Sequence, residues 1–327
     1  MVLLKVTCII RIFLLLAFTS LTLSATASSS TIVCTIKPAC LLVNAIVGKQ
    51  MKTTQLLPDN IDLHHYSFRP SDLRKLSQTA IVVYVSPTLE QFITPLLNPN
   101  TQTIITLADS PTLTFLPMPK KHQHSHHERH ERHEKHMEHV KHKRGHNITT
   151  SQDPHFWLNP NNAIKIAQYL TVELIKIDPT HAPFYQKNSQ KLIEDIKKTD
   201  QNIRQLLRND QHEPYLMFHV SFQYFAKHYG LETPEIINLY EDLPLGIKSM
   251  HHLRQLIKTT EIRCLVSQPT ASEALTKVLT EGTSINITLL DPVGSTLPVT
   301  HNHYTDLLYN IAHRLHDCLT TYKQISQ

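Results

Sequence analysis

The hydrophobic pattern along the chain alternates between short continuous runs and helical stripes. Residues 31–36 read as a strand, 41–47 as a helix and 52–57 as a second strand. A loop from Pro58 to Arg69 follows, and Ser71 can cap a short helix through Leu76. Residues 80–85 are almost all apolar, the pattern of a strand buried on both faces of a parallel sheet. Ser86-Pro87 opens a predicted helix through Leu97, and residues 102–107 form the next predicted strand. This βαβα order predicts an α/β lobe. After a polar interruption, Asn159-Pro160 opens a helix to about Ile177, broken at Asp178-Pro179.

The stretch 183–209 differs from the rest. It is long and polar, with apolar residues at Leu192, Ile193, Ile196, Ile203 and Leu206, which fit one buried helical stripe. Its length exceeds that of an ordinary crossover helix, so it reads as a connector. The alternation then restarts, with strands at 215–218, 235–239, 262–267 and 285–290 and helices at 221–229, 249–259, 272–280 and 304–322. The expected architecture is α/β: two Rossmann-like lobes with parallel sheets, joined by one long rigid helix. The lobes are placed at 28–182 and 210–327, and a ligand site is expected in the cleft between them, where strands end.

The polar interruption carries chemistry. Lys120 to His146 contains ten histidines: His122, His124, His126, His127, His130, His133, His136, His139, His142 and His146. Imidazole is the commonest protein ligand for zinc-like metals. The run has almost no apolar content and cannot bury a core, so it reads as an accessory, low-affinity metal collector on the first lobe.

The chain has 327 residues and a formal charge of +5. There is no basic stripe interleaved with aromatics, which argues against nucleic acid. Lys5 and Arg11 precede the apolar run 12–23, and Ala25-Thr26-Ala27 follows. This is the pattern of a secretory signal peptide over residues 1–27. Four cysteines follow it, Cys34, Cys40, Cys264 and Cys318, in an exported context that permits disulfides. Three pairings are possible. Cys264–Cys318, which would tie a buried strand to the last helix, is favoured, with Cys34–Cys40 second; four free buried thiols are the competing reading.

Potential ligands fall where strands end. His64 and His65 lie in the loop after the second strand, His219 directly after 215–218, and Asp291 directly after 285–290. His155 precedes a helix within Asp153-Pro154-His155-Phe156-Trp157-Leu158. Three imidazoles and a carboxylate suit tetrahedral zinc, whereas manganese prefers more oxygen donors. Each residue also has an ordinary reading: hydrogen-bonded loop histidines, a turn-forming Asp-Pro, and Trp157 as core packing.

Four segments carry a family resemblance: Leu56-Leu57-Pro58-Asp59 through His64-His65-Tyr66-Ser67-Phe68-Arg69-Pro70-Ser71-Asp72, Asp153 through Pro160, Phe218-His219 through Gly230-Leu231, and Leu290 through Gly294. In this order the chain resembles the periplasmic zinc-binding receptors of ABC transporters, within the cluster A-I metal-binding solute receptors. The resemblance implies a monomeric, non-enzymatic receptor that captures Zn2+ and hands it to a membrane permease in the periplasm of a Gram-negative bacterium. It implies His64, His155 and His219 as ligands, with Asp291 or water fourth; His65 could compete with His64. It also supports the Cys264–Cys318 pairing. Competing expectations are a manganese or iron receptor of the same family, a secreted zinc hydrolase and an adhesin. The absence of an H-E-x-x-H motif weighs against the hydrolase.

Overall fold

The structure, a computed structural model, describes residues 31–59, 61, 63, 66–119, 152–237, 246–259, 262–295, 297 and 303–325. The signal-like segment 1–27, the histidine run 120–146, His64 and His65 lie outside the described residues.

Strands β1 (Thr31–Cys34), β2 (Lys52–Gln55), β3 (Ile81–Tyr84) and β4 (Thr103–Thr106) form one parallel sheet in the order β2-β1-β3-β4. Strands β5 (Tyr215–Met217), β6 (Glu235–Ile236), β7 (Cys264–Ser267) and β8 (Asn286–Leu289) form a second parallel sheet in the matching order β6-β5-β7-β8. In each half the chain therefore turns back beside its first strand, the switch at which α/β sheets bind ligands. Every residue of β3, Ile-Val-Val-Tyr, is buried, as the unbroken apolar run predicts.

The helices are α1 (Lys37–Val47), α2 (Pro70–Ser77), α3 (Pro160–Ile177), α4 (Ala182–Leu206), α5 (Gln223–Tyr229), α6 (Ile247–Thr259), α7 (Glu273–Thr280) and α8 (His303–Ile325). Helix α1 is buried along its whole length. A helix apolar on all sides belongs inside a core, and α1 packs against α3, α4 and α8. It ends at Gly48 with φ 56°, where an added Cβ would meet the Phe184 ring at 3.0 Å. The long helix α4 buries Tyr185, Leu192, Ile193, Ile196 and Ile203, close to the stripe expected from the sequence. Its partner α8 buries Tyr304, Leu307, Leu308, Ile311, Leu315 and Leu319 at helical spacing. One continuous hydrophobic cluster therefore runs from the first sheet through α1, α4 and α8 to Tyr215 and Val266 of the second.

Two expectations need correction. The predicted helix from Ser86 to Leu97 is a series of turns ending in a 3-10 helix at Thr94–Leu96. Glu90 folds back so that its carboxylate accepts the Val85 and Ser86 backbone N–H groups at 2.6 and 3.2 Å. Pro95 then withholds a backbone donor. The expected Cys34–Cys40 bridge is also absent, and both are free, fully buried thiols. The Cys40 thiol points at the Cys34 carbonyl oxygen, 3.9 Å away. Burial, with Cys40 beside it, pushes the Cys34 thiol well above its ordinary pKa and keeps it protonated. Cys264 and Cys318 do form a disulfide, which joins β7 to α8.

Candidate metal centre

His155 and His219 come from opposite halves of the chain and face each other. Their ring centroids are 6.0 Å apart, at an interplanar angle of 76°. Two imidazoles sharing one tetrahedral ion, with Zn–N of about 2.0–2.1 Å, need ring centres roughly 5–6 Å apart. Both are nearly buried, at 3% and 7% exposure.

Each ring is held by its own surroundings. His155 precedes the 3-10 helix Phe156–Leu158, which Asn159 follows as N-cap of α3, accepting from the Asn161 and Asn162 N–H groups. Asp153, fully buried, places one carboxylate oxygen 2.9 Å from the His155 backbone N and 2.8 Å from its Nδ1. This fixes the ring plane through Nδ1, as an outer-shell carboxylate does at metal sites, where Nε2 is then the ligating nitrogen. His219 follows β5 through Phe218, whose N–H donates to Val266 O at 3.0 Å.

Several bonds fix the distance between the two segments. The Tyr224 hydroxyl on α5 donates to Asp153 O at 2.9 Å and accepts from Leu116 N–H at 2.8 Å. Trp157 is 1% exposed, and its Nε1 donates to the Pro292 carbonyl at 2.9 Å. Tyr304 of α8 donates to the Trp157 carbonyl. Trp157 thus packs in the core, as its ordinary reading had it, and also ties the His155 segment to the Asp-Pro turn.

Asp291 is otherwise engaged. One of its oxygens accepts from Val293 N and Gly294 N, both at 3.0 Å. The other accepts from Ser295 N at 2.5 Å and Ser295 Oγ at 2.6 Å. Four donors fill the acceptor directions of a carboxylate. Among the described residues, no three His, Cys, Asp or Glu side chains gather at one point. The structure therefore brings His155 and His219 together and does not bring Asp291 into a cluster with them.

The loop that carries His64 is anchored on both sides. Before it, Asp59 is held by Gln55 and Lys37 at 3.0 and 3.1 Å. After it, Tyr66 donates to Asp72 at 2.7 Å, and the Arg69 N–H donates to the same carboxylate oxygen at 2.9 Å. Burial raises the Asp72 carboxyl, but its bonds from Tyr66, Arg69 and Ser71 outweigh this and hold it below the usual range. Lys37 carries no mark in the sequence, and Asp153 and Tyr224 fall within the segments that carry the resemblance but without a role of their own. Asp153 could have been assigned one, because it lies two residues before a candidate ligand.

A zinc-uptake family model, ZnuA: Zinc-uptake complex component A periplasmic, matches residues 32–318. The chain belongs to this family. A ZnuA high-affinity zinc uptake system protein of Haemophilus ducreyi is 30% identical over 301 residues, 90% of this chain and 95% of that protein. The Yersinia pestis ZnuA protein is 26% identical over 293 residues, 89% of this chain and 92% of its own length. A crystal structure of ZnuA superposes with a TM-score of 0.72 at 20% identity, covering 89% of this chain and all of that one. A zinc-bound deletion mutant of ZnuA gives a TM-score of 0.71 at 20% identity, covering 89% of this chain and 98% of that one. These likenesses give the two-lobed α/β fold of the zinc-uptake family, and the two matching sheets described above are its halves.

Proposed function

We propose that the protein is a periplasmic zinc receptor that captures Zn2+ in the cleft between its halves and delivers it to the permease of an ABC importer. The observation that carries this reading is the facing pair His155 and His219, with Asp153 orienting one of the two rings. Family membership supports the metal and the compartment. His64, in the anchored loop after β2, supplies the third imidazole. The fourth position falls to water, because Asp291 could enter the shell only by giving up bonds within its own turn. Zinc is the cargo here. The residues bind and orient it without redox or proton-transfer chemistry, so the protein acts as a monomeric receptor and not as an enzyme. Residues 1–27 direct export, 28–182 and 210–327 form the lobes, and 183–209 connects them. The histidines of 120–146 collect metal weakly.

The test is a zinc and manganese titration of the mature chain, of a version lacking residues 120–146, and of His64→Ala, His155→Ala and His219→Ala. The expected result is one tight zinc site that survives loop deletion and is lost or severely weakened in each histidine variant. Tight binding that disappears with the loop but persists in the three variants would overturn the reading. Zinc-dependent ester or peptide hydrolysis would restore the enzyme alternative.

A further inference from the structure

Pro117 and Gln152 form an isolated antiparallel bridge, which sets Leu116 opposite Asp153. Residues opposite each other at such a position ordinarily exchange two bonds, N–H to O in each direction. One of the two is made directly: the Asp153 N–H donates to Leu116 O at 2.8 Å. The other is relayed. The Leu116 N–H donates to the Tyr224 hydroxyl at 2.8 Å, and that hydroxyl donates to Asp153 O at 2.9 Å. A side-chain oxygen from the second half is thus wedged into a main-chain pair of the first. It holds the Asp153 carbonyl away from the N–H that would otherwise take it.

The wedge stands where the two histidine segments meet. Tyr224 is the second residue of α5 and comes five positions after His219. Asp153 is the residue whose carboxylate holds the His155 N–H and Nδ1. Only Pro154 lies between Asp153 and His155, and its fixed φ leaves little play. Tyr224 is fully buried, so its hydroxyl needs partners. Those partners do not need the hydroxyl, because the Leu116 N–H and the Asp153 carbonyl could bond to each other. What the hydroxyl adds is the offset of Asp153.

We propose that Tyr224 is a positioning residue for the zinc site: its hydroxyl holds the Asp153-Pro154-His155 loop off Leu116, at the distance from His219 that lets both rings share one ion. The inference rests on the receptor reading above. Tyr224 touches no metal and acts through Asp153. Tyr224→Phe lets the Leu116–Asp153 pair close to a direct bond. The main chain keeps its hydrogen bonding, so the fold loses little, while the loop is drawn toward Leu116 and His155 leaves its register with His219.

The experiment measures the zinc affinity of the full chain by competition against a chelator of known affinity, and urea unfolding of the metal-free protein. It compares the unaltered chain with Tyr224→Phe, Gln223→Ala, Asp153→Asn and Tyr224→Phe/Asp153→Asn. Tyr224→Phe is expected to weaken zinc binding roughly tenfold, the low end of the cost of losing outer-shell support, with a urea midpoint close to that of the unaltered chain. Gln223→Ala removes the neighbouring bond from α5 to the Pro117 carbonyl and should leave affinity within about twofold. In the Asp153→Asn background, Tyr224→Phe should cost less than about threefold more, because residues that act through one another are not additive. A crystal structure of metal-free Tyr224→Phe should show Leu116 N and Asp153 O in direct contact at about 2.9 Å. Unchanged zinc affinity in Tyr224→Phe, the same tenfold loss in the Asp153→Asn background, an equal loss from Gln223→Ala, or a pair that stays open would each overturn the proposal. Failure of Tyr224→Phe to fold would overturn it too, because the pair is expected to close without the hydroxyl. If the unaltered chain holds no zinc tightly, the receptor reading itself falls; tight zinc in the unaltered chain with unchanged affinity in Tyr224→Phe removes the positioning role alone.

Discussion

Asp153 grips His155 through a single carboxylate oxygen, which meets both the backbone N–H and the ring Nδ1 of the same residue. The short loop Asp153-Pro154-His155 is thereby closed on itself, and the ring cannot swing freely. Asp153→Asn keeps the size but weakens the acceptor and its hold on the tautomer. Zinc affinity should fall by about 10- to 100-fold, the usual cost of losing an outer-shell partner. Competition against a chelator of known affinity checks this, and an unchanged constant would mean that the ring is held by its packing alone.

Asp291 fills its acceptor sites within its own turn. Asp291→Ala should therefore lower thermal stability while costing zinc affinity less than about tenfold, well below the loss from His155→Ala or His219→Ala. A loss equal to that of the histidine variants would show that the carboxylate leaves its turn to ligate zinc.

Glu90 offers a pH signature of its own. Burial raises its carboxyl to about 7, only partly opposed by Thr35 and the Val85 and Ser86 N–H groups. The unfolded chain releases this proton near the ordinary 4.5. The folded state therefore holds more protons between those values, and stability falls as pH rises from about 4.5 to about 7, then levels. Glu90→Gln keeps an oxygen for both backbone donors and removes the ionisation. It should stabilise the fold at pH 8, by on the order of 2–3 kcal/mol at most, and give no gain at pH 4. Denaturant unfolding at the two pH values reads this difference directly.

The chain has a single tryptophan, and its ring lies 5.3 Å from that of His155. Tryptophan emission should change in step with zinc occupancy in the loop-deleted protein and stay flat in His155→Ala. Emission that does not respond in the former would separate Trp157 from the site.

The Cys264–Cys318 disulfide spans 54 residues. By the loop-entropy account, its reduction should cost roughly 4 kcal/mol. Thermal melts with and without reductant test this, with Cys34 and Cys40 unreactive until the chain unfolds.

Much of the frame was legible because it rests on local signals. Apolar runs marked β3 and β7, and the stripe through Leu192, Ile196 and Ile203 marked α4. Strand ends pointed to His219, and the helix-opening Asn159-Pro160 marked the segment beside His155. What escaped the sequence are bonds between distant residues. Lys37 and Ser295 are 258 positions apart, and Tyr224 and Asp153 are 71 apart; no periodicity reports such pairs. The region after β3 was also misread. Ser86 does cap a first turn, its Oγ accepting from Leu89 N–H and its carbonyl from Glu90 N–H, but the turn is not continued as an α-helix, and Pro95 offers no N–H to prolong it. The Asp-Pro turn was recognised as a turn former, but how fully it consumes the Asp291 carboxylate depends on Ser295, whose side chain joins in only through the folded geometry.

The buried helix α1, wedged among α3, α4 and α8, has a consequence for selectivity. A common core lies behind both sheets. On the proposed receptor reading, that core would hold the spacing between the ligands of the two halves, and an ion that demands six oxygen donors would gain less from such a site than one satisfied by a few nitrogens. A cavity-forming substitution such as Leu42→Ala in α1 would then loosen that spacing without touching the site.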